Sequence, residues 1–189
     1  MDGQHAEHGD AFAERREKLA AWRRTGAAYP TQYQPRDEIG ALRGAYESLE
    51  SGQDAADVHR VAGRVVARRV HGKLTFGVLK DMSGELQLFC QLDALGDERY
   101  EALEHVDLGD FVGAEGTMMR TRRGELSLRI TSWQLLSKSL RGMPEKYHGL
   151  TSVETRYRKR YLDLAANDDS RAVFVKRARI IAAVRRFLD

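Results

Sequence analysis

Between Arg60 and Ser139 apolar and polar residues alternate in short runs, the pattern of strands with one buried and one solvated face. The run Glu85–Gln91 is the cleanest: Leu86, Leu88 and Cys90 point one way, Gln87, Phe89 and Gln91 the other. The spacing predicts strands at about Arg60–Val70, Leu74–Lys80, Glu85–Gln91, Asp110–Arg120 and Glu125–Leu136. In the first, Val61, Gly63 and Val65 alternate against Arg64 and Val66. In the last, Leu126, Leu128 and Ile130 alternate against Glu125, Ser127 and Arg129. Turn residues at His71-Gly72-Lys73, Asp81-Met82-Ser83-Gly84 and Arg122-Arg123-Gly124 separate them. Between the third and fourth strands the period changes, and Asp97–His105 reads as one short helix.

The flanks follow a helical period. Residues 1–9 read as disordered, and a helix is predicted from Asp10, its N-cap, to a stop at Gly26. Phe12, Leu19 and Trp22 fall near one face of it, among Arg15, Arg16, Lys18, Arg23 and Arg24. Two roles are open to it: docking on the body, or lying along a nucleic-acid backbone. A turn-rich connector, Tyr29–Pro35, precedes a short helix over roughly Glu38–Leu49, and Ser51–Asp54 reads as a linker. Gly142, Pro144 and Gly149 interrupt a second connector, Arg141–Thr155. Beyond it, Asn167-Asp168-Asp169 is expected to cap a long helix, Ser170–Asp189. Its apolar stripe, Phe174, Ala178, Ile181, Val184 and Leu188, meets no later element in this sequence. The stripe reads as a dimer-interface candidate or as the start of an unfinished domain.

Three strands, a helix and two strands within about 80 residues is the element order of the OB-fold, a five-stranded β-barrel that binds oligonucleotides. The expected class is therefore α+β. Its units are an N-terminal helical extension (1–56), the barrel (57–140), a linker (141–155) and the start of a further domain (156–189).

Composition narrows the setting. The chain has 189 residues and a net charge of +3. Residues 156–189 carry ten basic and four acidic side chains, against 21 and 24 in the remainder. A basic end on a slightly acidic body suits a polyanionic partner, and a solvated helix face would look the same. No apolar run approaches the roughly 18 residues of a membrane span. The polar N-terminus has no apolar signal core, and the single cysteine, Cys90, excludes an intramolecular disulfide. A cytoplasmic location is expected.

Catalytic and metal-binding patterns are absent: no glycine-rich phosphate loop, GxSxG, HExxH or CxxC, and no ligand spacing among the six histidines. Cys90, on the core face, is expected to be structural. Binding chemistry is better represented. Phe76 and Phe89 are candidate stacking platforms. Gln87 offers an amide donor and acceptor to a base edge, and Glu125 an acceptor. Arg64, Arg68 and Arg69 can meet phosphate or base acceptors. Phe76 could equally be core, Gln87 an ordinary solvated strand residue and Glu125 a turn acid, and alternation does not settle which way Phe76 and Arg69 point, because a bulge in the long first strand would flip the face.

The runs VAGRVVARRVHGKLTFGVLKDMSGELQLF and DLGDFVGAEGTMMRTRRGELSLRI resemble the anticodon-binding domain of bacterial class II lysyl-tRNA synthetases. The pair PEKYHGL and RYLDL is the more specific signature, and ERREKLAAWRRTGAAYP is similar to the family's N-terminal helix. The resemblance covers about Ala13–Asp189. It implies that Phe76 stacks on an anticodon uridine and that Arg69, Gln87 and Glu125 hydrogen-bond to bases of a U-rich anticodon. It implies a lysine tRNA partner and a homodimer through the final helix, which matches the start of motif 1. ATP and Mg2+ would serve the complete enzyme, through motifs 2 and 3 that this sequence does not contain; no catalytic residue and no cofactor is expected within the chain, and the chain alone is expected to be inactive. Lys80, Gly142 and Tyr147 depart from residues common in the family. Rival readings are a stand-alone RNA-binding module, a fragment of an aspartyl- or asparaginyl-type enzyme, and a purely structural dimer.

Overall fold

The computed structural model describes residues 3–24, 29–143, 150 and 152–188. Gly26 and residues 144–149 of the PEKYHGL segment fall outside them. The chain divides into two units, Met1–Gly142 and Met143–Asp189.

The first unit is a closed five-stranded barrel with helices. Its strands are β1 (Asp54–His71), β2 (Leu74–Lys80), β3 (Glu85–Gln91), β4 (Phe111–Arg120) and β5 (Leu126–Ser137). They close in the order β1-β2-β3-β5-β4, with β3 and β5 parallel and every other pair antiparallel. β2 and β3 have the bounds their alternation predicts, and each shows strict in-and-out burial. Closure gives every strand a partner on both sides, although β3 and β5 are joined over only Gln87–Phe89 and Ser127–Arg129. It also packs Val61, Val65, Leu79, Leu86, Leu88, Cys90, Leu128 and Ile130 into one core. Gly116 is required where β4 crosses β5, because a Cβ there would collide with the Arg129 backbone.

β1 starts six residues earlier than its pattern suggests. The added Asp54–His59 stretch is largely exposed and carries no alternation; pairing with Met119 and Thr117 of β4 is what makes it a strand. The helix expected at Asp97–His105 is broken up. Helix α3 (Leu92–Leu95) and helix α4 (Asp97–Glu101) are separated by Gly96 at φ 78°, and a 3-10 turn, Ala102–His105, follows. These pieces carry Leu95 and Val106 into the core, with Tyr100 and Leu103 packed against it.

Helix α1 spans Gly3–Arg24, so Asp10 lies inside it rather than capping it, and residues 3–9, expected to be disordered, are helical. Of its two possible roles, the structure shows docking. Leu19 is buried, and Trp22 meets Trp133 edge-on at 5.7 Å between centroids. Arg15 donates to the carbonyls of Leu108 and Ser139 at 3.1 and 2.8 Å. Helix α2 (Ile39–Ala45) is shorter than the expected Glu38–Leu49. Its first free amides are satisfied from the β2–β3 turn: Ile39 N–H donates to Asp81 and Gly40 N–H to Ser83, at 2.9 and 2.7 Å.

A buried ion cluster locks α1 and the end of β5 together. The Lys138 ammonium donates to Asp110, Asp107 and the His105 carbonyl at 2.7, 2.5 and 2.7 Å, which uses all three of its protons. Asp107 also accepts from Lys18 of α1 at 2.9 Å. Asp110 accepts from the Ser139 amide at 2.7 Å.

The second unit contains α5 (Val153–Arg158), α6 (Arg160–Ala166) and α7 (Asp168–Leu188). Buried Asp163 accepts from Arg156 and Arg160 at 2.9 and 2.7 Å, and Arg156 reaches Ser170 at 2.8 Å. Asn167 caps α7 as its sequence suggests, accepting from the amides of Asp169 and Ser170. Phe174, Ala178, Ile181, Val184 and Leu188 are all exposed.

Burial acts to raise the Asp107 pKa, but the hydrogen bonds and charges of Lys138 and Lys18 outweigh it and hold the carboxyl below its ordinary value. A depressed carboxylate stabilises the fold above its unfolded pKa, about 3.9, and that contribution is lost as the pH falls through the folded value. Acid unfolding followed by circular dichroism is expected to set in below about pH 4. Asp107→Asn is expected to remove part of that pH dependence; an unchanged slope would show that the cluster does not govern it.

Candidate nucleic-acid interface

The outer face of β1, β2, β3 and β5 carries two cross-strand rungs. One joins Arg69, Phe76, Phe89 and Arg129; the other joins Ala67, Val78, Gln87 and Ser127. The rungs exist because β1 contains a bulge. Val65 pairs with Leu79, the next pair is Ala67 with Val78, and Val66 is the extra residue. Without it, Arg69 would continue the inward phase of Val61, Gly63 and Val65. With it, Arg69 lies opposite Phe76 on the outer face.

A cleft of about 650 Å³ lies over these rungs. The side chains of Phe76, Val78, Gln87 and Phe89 are half-buried along it, and Arg69, His71, Arg122, Arg123 and Glu125 are exposed at its rim. The rim acid and the two arginines sit on the β4–β5 turn. Gly124, at φ 87°, allows that turn to close, and Thr121 accepts the Glu125 N–H at 3.0 Å.

Phe76 and Phe89 meet edge-to-face, 5.5 Å between centroids and 71° between planes. The His71 ring lies 6.2 Å from Phe76, also at 71°. Two rings at that angle cannot both lie parallel to one base, so the cleft offers a single stacking plane to each base. The Arg129 guanidinium lies 5.9 Å from the Phe89 ring and is tied to Asp54 at 3.0 Å. That contact occupies Phe89 and leaves Phe76 the more available platform.

Polar groups are arranged around this ring. The Gln87 amide nitrogen donates to the Ser127 hydroxyl at 2.9 Å, and that hydroxyl donates to the Glu125 carbonyl at 3.3 Å. The Glu125 carboxylate makes no hydrogen bond or ion pair among the described residues, and neither does the Arg69 guanidinium.

Arg69, Phe76, Gln87, Glu125 and Phe89 are thus brought together on one surface. Arg64 and Arg68 are engaged elsewhere. Arg64 donates to the Gly109 carbonyl at 2.8 Å and lies 4.3 Å over the Phe111 ring. Arg68 borders the cleft, but its guanidinium donates to the carbonyls of Leu103 and Val106 below the 3-10 turn. The bulge determines this too: it sends Arg68 inward as it sends Arg69 outward. Cys90 is buried on the core face, and burial pushes its thiol up to about 12, which leaves it unreactive near neutral pH.

Sequence reading alone missed His71, Arg122, Arg123 and Ser127. The first three were visible only as turn residues. Ser127 sits on the outward phase of β5 yet is fully buried, because Gln87 covers it. No helix among the described residues is long and apolar enough to cross a membrane. No group of three or more His, Cys, Asp or Glu among them could hold a metal ion.

Comparison with known proteins agrees with the geometry. The tRNA anti-codon family model, described as an OB-fold nucleic acid binding domain, matches residues 59–136. A lysine–tRNA ligase of Nitrosomonas europaea is 46% identical over 193 residues, covering 100% of this chain and 38% of its own length. One from Aromatoleum aromaticum is 46% identical over 179 residues, covering 94% of this chain and 36% of its own length. One from Streptococcus pneumoniae is 44% identical over 193 residues, covering 100% and 39%. The chain spans little more than a third of the length of these relatives, in their N-terminal part.

Proposed function

We propose that this chain, which belongs to the lysine–tRNA ligase family over that N-terminal span and to the OB-fold nucleic acid binding domains through residues 59–136, is the part that binds the tRNA anticodon. The observation that carries the reading is the cleft itself. Bulge, rungs and rim turn set one available ring, Phe76, among unengaged polar groups, Arg69 and Glu125, with Gln87 behind them.

Phe76 is the stacking platform, and stacking tolerates any base. Base identity then rests on hydrogen bonds from Arg69, Gln87 and Glu125. Phe89 supports the Phe76 ring edge-on. Arg122 and Arg123 are exposed over the cleft, where phosphates of a bound strand would pass. Arg64 and Arg68 are left out of the contact set, because their guanidinium groups hold the fold. The exposed stripe of α7, Phe174, Ala178, Ile181, Val184 and Leu188, is assigned to a homodimer interface.

ATP and Mg2+ are proposed as cofactors of the complete class II ligase, in which lysine is joined to its tRNA in the cytoplasm. No residue of the cleft is assigned to that chemistry.

Phe76→Ala is expected to weaken binding of a lysine anticodon stem-loop RNA by roughly 1–3 kcal/mol in a fluorescence titration. Glu125→Ala is expected to lower the preference for it over an anticodon-swapped stem-loop. If neither variant changes affinity or preference, the cleft is not the anticodon site. Sedimentation equilibrium of the full chain is expected to show self-association that Ile181→Glu weakens; a monomer at high concentration would remove the dimer assignment.

A further inference from the structure

We infer that Arg129 is a further RNA contact of this face, one that meets a backbone phosphate, and that Asp54 holds the phosphate's place in the free chain and is displaced when RNA binds. The inference rests on the reading of the cleft as the anticodon site and deepens it, because it concerns the backbone of the bound strand and not its bases.

On β5, Arg129 lies in register with Phe89 of β3 on one side and Thr117 of β4 on the other. It completes the row Arg69, Phe76, Phe89, Arg129, two rings with a guanidinium at each end. Neighbouring strands lie about 4.8 Å apart, so the two charged ends are separated by roughly 14 Å along the sheet. A strand with one base on Phe76 runs on in both directions from it, and its backbone carries negative charge past the ends of the row. The Arg129 end is already occupied by a carboxylate of the chain itself, that of Asp54.

That carboxylate meets the guanidinium incompletely. Asp54 pairs with Nη2 of Arg129 at 3.0 Å. The Nε–H of the same guanidinium is buried and has no acceptor among the described residues. A guanidinium presents five N–H donors in a flat fork, and a phosphate can take two of them side by side. The unmet donor disfavours the resting arrangement, and a swing of the side chain toward an oxyanion that accepts from both edges relieves it. The fold does not oppose that swing. The side chains of Arg129 and Asp54 are 35% and 45% exposed, and an ion pair so open to water contributes little to stability. The Asp54 backbone stays anchored opposite Met119 of β4 when its carboxylate leaves. The Phe89 ring, 5.9 Å from the guanidinium carbon, gives the cation a face to move across. Asp54 therefore competes with RNA for Arg129, and a strand already stacked on Phe76 displaces it because its phosphates are held nearby.

The test uses the full chain and a UUU anticodon stem-loop RNA, titrated at several salt concentrations. Arg129→Gln is expected to weaken binding roughly fivefold and to flatten the slope of log affinity against log salt by about 0.7, the share of one phosphate on a single strand. Asp54→Asn is expected to tighten binding roughly threefold, and by less than about 1.5-fold when Arg129→Gln is also present. Both variants are expected to keep the thermal midpoint of the unsubstituted protein. Stem-loops with one neutral methylphosphonate linkage, moved stepwise through the loop, are expected to include one whose loss of affinity does not add to that of Arg129→Gln. The inference is overturned if Arg129→Gln leaves affinity and slope unchanged, or if the losses add at every linkage. It is also overturned if Asp54→Asn fails to tighten binding or tightens it equally in both backgrounds. If the unsubstituted protein does not bind the stem-loop, or Phe76→Ala binds it equally well, the anticodon reading itself fails and this inference falls with it. A loss in Phe76→Ala beside an unchanged Arg129→Gln removes only the inference.

Discussion

The structure turns on one extra residue in β1. Val66 has no partner in β2, and the step from the Val65–Leu79 pair to the Ala67–Val78 pair changes the phase of everything that follows. Up to Val65, β1 sends its small and branched side chains into the core. After it, Arg69 joins Phe76 on the outer surface while Arg68 turns under the barrel to the carbonyls of Leu103 and Val106. A bulge also strengthens local twist, which a strand of 18 residues needs in order to pair with both β2 and β4. Closure of the barrel and assembly of the cleft thus share one cause.

The core and the proposed anticodon surface lie on opposite sides of this sheet. The inward residues form a continuous core with no polar task. The outward residues of the same strands make few contacts that the fold requires. Phe76 lies between Thr75 and Gly77, both buried, yet its own ring borders the cleft. The links that hold the unit together lie elsewhere: Asp81 and Ser83 hold the start of α2, and Lys138, Asp107 and Asp110 join α1 to the end of β5. Ser127 is the exception, a buried group on the outer face, where it accepts a hydrogen bond from Gln87.

Where order depends on local alternation, it was legible in the sequence. β2, β3 and the turns after β1, β2 and β4 follow directly from residue type and period. So do Gln87 and Phe89 of β3 and Glu125 before β5 as residues of the non-core face, whereas alternation left the direction of Phe76 open and the register settles it. Less legible were features fixed by distant partners. Asp54–His59 has no strand pattern and is ordered by β4. Asp97–His105 has a helical composition, but it divides into α4 (Asp97–Glu101) and a 3-10 turn (Ala102–His105), whose Leu103 carbonyl accepts from Arg68. Arg64 and Arg68 have the composition of RNA contacts, and only the carbonyls of Gly109, Leu103 and Val106 reveal that they are occupied. The phase of Arg69 depends on a single bulge that alternation alone does not locate. Residue type nominated Arg69 together with Arg64 and Arg68, the lysyl-tRNA synthetase resemblance singled it out from them, and the observed register explains how it reaches that face.

The central claim is that the face made by the bulge, and no other, receives the anticodon. Amide chemical-shift mapping of the full chain during titration with a UUU anticodon stem-loop RNA tests it most directly. The account predicts that the largest shifts fall on Ala67–His71, Leu74–Val78, Gln87–Phe89 and Thr121–Ser127, with the Lys138–Asp110 region unmoved. Shifts concentrated on α1 and the 3-10 turn, with the Phe76 and Gln87 amides unchanged, would contradict it.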